Sequence, residues 1–289
     1  MLVLTAFIWG TAFVSQSEGM EYVGPFTFLA SRSYIGGFAL IPCIFILNKL
    51  KSNDEKSDSS YKFKTLFIGG ACCGIALFVA SAFQQIGILY TSVGKAGFLT
   101  ALYIIIVPVL GLFFGKKVSS KVWLSVFIAV VGMYLLCIKE EFKIEYGDIL
   151  VIICALFFSG HILIIDYFSP KVDCVKMSCI QFFTCAVVST IFMFIFENPG
   201  IDTILNALPY ILYAGVLSSG VAYTLQIIGQ KGNDPTVTSL ILSLESVFAL
   251  LSGVVVLGER FSLKEGFGCF LIFAAIIITQ LPQKQKSLK

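Results

Sequence analysis

The sequence predicts an all-α polytopic membrane protein, and three observations carry that reading. Apolar residues make up 57% of the 289-residue chain and charged residues only 13%, where soluble domains average roughly 45–50% and 25%. Segments of about 20 apolar residues follow one another along the chain, the length a helix needs to cross the hydrocarbon core. The alternating ten-residue pattern of a transmembrane barrel is missing. A net charge of +3 gives no reason to expect a nucleic-acid partner. The nine cysteines sit in or beside apolar segments without a CxxC or a His/Cys cluster, so they read as small packing residues and not as metal ligands or disulfides.

Ten spans are predicted: 2–17, 25–48, 64–88, 91–114, 120–138, 147–167, 174–196, 203–229, 235–257 and 263–281. The first begins at Leu2 with no basic region before it, and Ser15-Gln16-Ser17 is a poor cleavage site, so a cleaved signal is not expected and residues upstream are. Arg32 lies about two turns into span two, where an arginine usually bonds backbone carbonyls, and it is read as a structural intramembrane charge. The polar stretch 49–64, rich in Lys, Ser, Asp and Glu, reads as a disordered loop. Spans three and eight carry small and polar stripes: Gly70, Gly74, Ser81 and Gln84 beside Gln85, then Gly215, Ser219, Ala222, Tyr223, Gln226 and Gln230. Small residues at that spacing let helices approach closely, while the glutamines suggest an outer and an inner gate. Span four carries Lys95 near its start, Tyr103 and Pro108. Lys95 either binds a solute carboxylate, pairs with Glu245, or snorkels to the headgroups. Span six contains His161, the one histidine, readable as a proton carrier or as a packed, hydrogen-bonded residue. Asp166 at its end reads as a helix-end or loop contact.

Span nine is the most informative. It places Glu245 halfway along an apolar run, and an ionised carboxylate at that depth should face protein or a water-filled cavity. Thr238, Ser239, Leu242, Ser243, Ser246, Ser252 and Gly253 form a small, polar stripe at helical spacing, while Leu240, Ile241, Val247, Leu251 and Val255 form an apolar one. One face is thus expected on lipid and the other on a central site lined by Glu245, Ser246, Lys95, His161, Gln84, Gln226 and the aromatic Trp9, Tyr103 and Tyr223. Such a wall favours amphipathic or aromatic-bearing solutes over highly charged ones. Glu245 is either a structural carboxyl or a group that takes up and releases a proton, coupling proton movement to transport.

Lysine placement predicts orientation. If the N-terminus is cytoplasmic, the inner loops hold Lys49, Lys51, Lys56, Lys62, Lys64, Lys116, Lys117, Lys121, Lys171, Lys176, Lys231, Lys284, Lys286 and Lys289, and the outer ones only Lys95, Lys139, Lys143, Arg260 and Lys264. Both termini are therefore expected in the cytoplasm. A shift of 143 residues lays Gly115-Lys116-Lys117 on Gly258-Glu259-Arg260, Ser119 on Ser262, Lys121 on Lys264 and Phe127 on Phe270, and Trp9-Gly10 echoes Phe158-Ser159. The chain thus divides into two five-helix repeats, 1–143 and 144–289. Five spans is an odd number, so the second repeat enters the membrane inverted, an arrangement associated with secondary transporters and a midplane site.

Trp9-Gly10-Thr11-Ala12-Phe13, Arg32, Tyr90-Thr91-Ser92, Ala96-Gly97, Gly147-Asp148, Glu245 and Gly258-Glu259 fall in register with those spans, and on them the chain resembles an EamA-type member of the drug/metabolite transporter superfamily. It departs at Gly115-Lys116, where the family usually has Gly-Glu, and at Tyr103 and Ser246, where it often has proline. The resemblance implies a secondary active transporter in the cell membrane. It would move small organic metabolites such as amino acids, outward by preference, by alternating access and without a cofactor. A nucleotide-binding loop, HExxH and GxSxG are all missing, which speaks against ATP coupling and against an enzyme. The alternatives are a non-transporting membrane protein, either an accessory subunit or an intramembrane enzyme, and a channel.

Overall fold

The computed structural model describes residues 1–50, 63–91, 93–137, 144–257 and 262–281. The expectations for most of the 49–64 loop, for Lys139, Lys143 and Gly258-Glu259-Arg260, and for the C-terminal lysines lie outside these residues.

Backbone N–H and C=O groups cannot be left unpaired in hydrocarbon, so an apolar chain crosses as helix. The described residues accordingly form α1 (Leu2–Gly19), α2 (Pro25–Leu50), α3 (Phe63–Ile88), α4 (Val93–Thr100), α5 (Tyr103–Phe113), α6 (Ser120–Cys137), α7 (Tyr146–Phe168) and α8 (Cys174–Phe196). Two short helices, α9 (Ile201–Asn206) and α10 (Leu208–Leu212), lead into a π-helical stretch at Tyr213–Tyr223 that continues as α11 (Thr224–Gln230). Helices α12 (Pro235–Leu242), α13 (Leu244–Leu257) and α14 (Leu263–Gln280) complete the chain. By length and apolarity, eight of the described traverses can cross a membrane, and helix 120–135 is a shorter apolar one. The expected count of ten is therefore not reached by that measure, although α1 and α6 pack within the same bundle.

Local chemistry sets the helix ends. Asp173 accepts from the amides of Val175 and Lys176, and Asp234 from that of Thr236, just ahead of Pro235 at the first helical position. Glu197, from the end of α8, accepts from the Phe26 and Thr27 amides at 2.8 Å and so caps the start of α2. Helix α5 stops at Gly115, whose φ of 76° suits glycine, and the Lys116 amide reaches back to the Gly111 carbonyl at 3.0 Å.

Two traverses are broken near their middle; in span four the sequence leads one to expect a kink near Pro108, but neither break falls at a proline. Span four splits at Ala101-Leu102 into α4 and α5, and span nine splits at Ser243 into α12 and α13. Pro108 lies inside α5 and is not the break point. The packing pairs are α6 with α14, α3 with α7, α2 with α8, α3 with α8, α1 with α13, and α2 with the π-helical stretch. Glycines permit several of these approaches. A Cβ on Gly36 would lie 2.7 Å from the Ser219 Cβ, and one on Gly74 2.6 Å from the Gln181 carbonyl oxygen.

Candidate functional site

The two helix breaks face each other. Tyr103 is the first residue of α5, and Glu245 is the second of α13. The Tyr103 hydroxyl donates to Glu245 Oε1 at 3.0 Å, joining the two broken traverses. Around this bond lies a cavity, and Glu245, at 4% exposure, is one of its walls. From α1 come Trp9, Phe13 and Gln16; from α2, Arg32; from α3, Gln84; from α4, Thr100. From α7 come Phe158, His161 and Ile162; from the π-helical stretch, Ser218 and Tyr223; from α11, Gln226; and from α12, Leu242.

Hydrogen bonds hold much of the wall in place. Arg32 Nη1 donates to Gln16 Oε1 at 2.9 Å, Gln84 Nε2 donates to Thr100 Oγ1 at 3.1 Å, and His161 Nε2 lies 2.8 Å from Gln181 Oε1. The Trp9 indole N–H reaches the Ser218 carbonyl at 3.4 Å, and its ring lies 4.5 Å from that of Tyr223 between centroids. The His161 and Phe182 rings meet Tyr223 edge-on. Arg32 Nε and Gln226 Oε1 are buried without a partner.

Of the residues singled out from sequence, Glu245, His161, Trp9, Tyr103, Tyr223, Gln84 and Gln226 converge here, together with Arg32. Two do not. Lys95 pairs with Asp148 at 2.5 Å, beside the Thr91 hydroxyl that donates to the same carboxylate at 2.6 Å, at the start of α7. It is not on the cavity wall, and of its three readings pairing is the one seen, with Asp148 and not Glu245 as the partner. Ser246 is buried off the wall. The glutamines also differ from expectation: Gln84 and Gln226 share one cavity, while Gln230 donates to the Ile162 carbonyl at 2.6 Å. The expected lipid face of span nine holds only toward its end. Leu240 and Val247 are buried, and Leu251 and Val255 face outward. Asp166 pairs with Lys116 at 2.5 Å in the loop after α5, a loop contact as expected.

Gln16, Thr100, Ser218 and the apolar Phe13, Phe158 and Ile162 are cavity residues that sequence reasoning left out. One signal exists. Gln84 and Gln226, Thr100 and Leu242, and Tyr103 and Glu245 are each 142 residues apart. Trp9 and Phe158, and Phe13 and Ile162, are each 149 apart. Two offsets thus pair ten of the fifteen wall residues across the halves, and the offset drops by seven residues across the long linker that follows α2.

A buried polar cavity between broken apolar helices defines the class: a multi-pass membrane transporter. Comparison with known proteins names the family. The model of the EamA-like transporter family matches the chain twice, over residues 1–138 and 145–281, and the chain belongs to that family. It is 33% identical over 281 residues to an uncharacterized transporter of Archaeoglobus fulgidus, covering 97% of this chain and 84% of the other. It is 26% identical to the uncharacterized transporter YwfM of Bacillus subtilis, covering 99% and 95%. A solved crystal structure superposes with a TM-score of 0.78 at 17% identity, over 96% of this chain and 95% of that one, a likeness of fold.

Proposed function

We propose that this transporter is a secondary active exporter of small organic metabolites. In this reading two inverted halves, 1–143 and 144–289, expose the cavity in turn to either side of the cell membrane, with both termini in the cytoplasm. The observation that carries the proposal is the cavity itself: Glu245, Arg32, Tyr103, Gln84 and Gln226 gathered where two traverses are interrupted. Discontinuous helices around a central site are how many secondary transporters present backbone and side-chain polar groups to a solute. The two-half reading is supported by the double family match, by the constant offsets between wall residues, and by the packing pairs. Exchanging the halves turns α3 on α7 into the π-helical traverse on α1, and returns α6 on α14 and α2 on α8 to themselves. Export follows from the family resemblance, and proton coupling from a carboxyl group on the cavity wall.

The test is counterflow in liposomes containing only this protein. Vesicles preloaded with a pool of unlabelled amino acids, sugars and nucleobases are given labelled members of each class outside. Saturable accumulation of one class is expected. Solute flow without saturation, or conductance, would make the protein a channel. No flow of any class from folded protein would leave the accessory-subunit reading.

A further inference from the structure

We propose that the cavity is a zwitterion site, in which Arg32 takes the carboxylate and Glu245 the ammonium group of an apolar amino acid. The assignment deepens the transport reading above and rests on it. Arg32 and Glu245 are each 4% exposed and line the same cavity. Among the described residues neither forms an ion pair. The partners they do have are neutral: the Gln16 side-chain carbonyl for Arg32 and the Tyr103 hydroxyl for Glu245. Two ion pairs are formed elsewhere among the described residues, Lys95 with Asp148 at one end of the bundle and Lys116 with Asp166 at the other.

Holding two opposite charges on one buried wall without a counter-ion is costly. A ligand that brings both opposite charges relieves both, whereas an anion or a cation relieves one and a sugar neither. Two of the three partnerless atoms on the wall point the same way, while the third, His161 Nδ1, suits either pole according to its tautomer. Arg32 Nε is a buried donor lacking an acceptor, which a carboxylate supplies in the fork geometry that guanidinium groups favour. Gln226 Oε1 is a buried acceptor lacking a donor, which an ammonium group supplies. The remaining wall of Phe13, Phe158, Ile162 and Leu242 suits an apolar side chain. This gives Arg32 a part in binding, where its depth alone suggested a structural one.

The experiment is equilibrium binding to the purified full chain in detergent. The probes are L-leucine and L-phenylalanine, each with its methyl ester, which lacks the anion, and its N-acetyl derivative, which lacks the cation. Both derivatives are expected to bind at least about thirty-fold more weakly than the parent, the low end of what leaving a buried charge unpaired costs. Arg32→Gln should no longer distinguish the amino acid from its ester, and Glu245→Gln should no longer distinguish it from the N-acetyl form. The unmutated comparison stands even if a variant fails to fold. Equal binding of the ester or the N-acetyl form overturns the proposal, as does no binding of either amino acid by folded protein. Exchanged discrimination between the two variants overturns the assignment of the poles. Selective binding without counterflow supports the zwitterion site and sinks the transporter reading. Counterflow of sugars or nucleobases alone does the reverse.

Discussion

Glu245 is where chemistry and burial meet most closely, and it yields the pH prediction. A carboxylate receives an ammonium group only when ionised, so protonation and amine binding exclude each other. Leucine binding is expected to weaken as pH falls, and Glu245→Gln to bind weakly with no such dependence. Arg32, Tyr103, Tyr223 and His161 are the other ionisable groups on the wall. His161 is held by Gln181, so His161→Gln should leave the pH profile in place. A Glu245→Gln variant that kept the full profile would remove Glu245 from the coupling. Asp148 gives a stability prediction instead. It is fully buried, pairs with Lys95, accepts from Thr91, and accepts from the Glu145 amide at 2.8 Å. Asp148→Ala is expected to cost about 3 kcal/mol, the low end for breaking a buried pair, because Lys95 keeps some exposure. A thermal unfolding curve reads it, and an unchanged midpoint would make the pair incidental. At this scale the sequence was legible where depth and chemistry conflict, as at Glu245 and His161. It was silent for Gln16, Thr100 and Ser218, because an isolated polar residue in an apolar run looks alike whether it faces a cavity or a neighbouring helix.

Elements were legible by length and apolarity, and their interruptions were not. Cys174–Phe196 matches its expected span residue for residue, since a predominantly apolar run is bounded by Asp173, which caps its start, and by Glu197. The breaks at Ala101-Leu102 and Ser243 carry no proline or glycine, so no local signal marks them. They are tolerable because they lie inside protein, where Tyr103 and Glu245 bond across them. The π-helical stretch, which packs against α2, was equally hidden. Close packing makes a sharper test than helix length. A Cβ on Gly10 would fall 2.6 Å from the Glu245 carbonyl oxygen and 2.6 Å from the Phe248 Cβ, so Gly10→Ala must push α1 away from α13. The expected cost is about 1–3 kcal/mol, together with weaker solute binding, because Trp9 and Glu245 move with those helices. A Cβ on Gly160, in α7, would have no neighbour within 4 Å. Gly160→Ala should therefore be neutral or stabilising by up to about 1 kcal/mol. Equal effects from the two substitutions would contradict the packing described for α1 and α13.

The bundle has two chemically distinct ends, and they bear on direction. At one end lie Lys95 paired with Asp148 and the Glu197 cap on α2; at the other lies Lys116 paired with Asp166. Both ion pairs tie the broken traverse α4–α5 to α7, so the cavity sits between two polar clamps on the same pair of elements. Under the alternating access proposed above, opening at one end is expected to loosen that end's clamp while the other holds. The lysine distribution predicts that the Lys116 end faces the cytoplasm, and a labelling experiment tests it. Glu145 and Lys117 are exposed residues at opposite ends. In intact cells a membrane-impermeant maleimide is expected to label Glu145→Cys above the parent chain and to leave Lys117→Cys at the parent's level. After permeabilisation both should react, which shows that each cysteine is accessible. The opposite pattern would turn the molecule over, place both termini outside, and make the Lys95–Asp148 clamp the cytoplasmic one. Equal labelling of both in intact cells would mean that the two ends are not separated by the membrane, and the multi-pass bundle could not then stand as described.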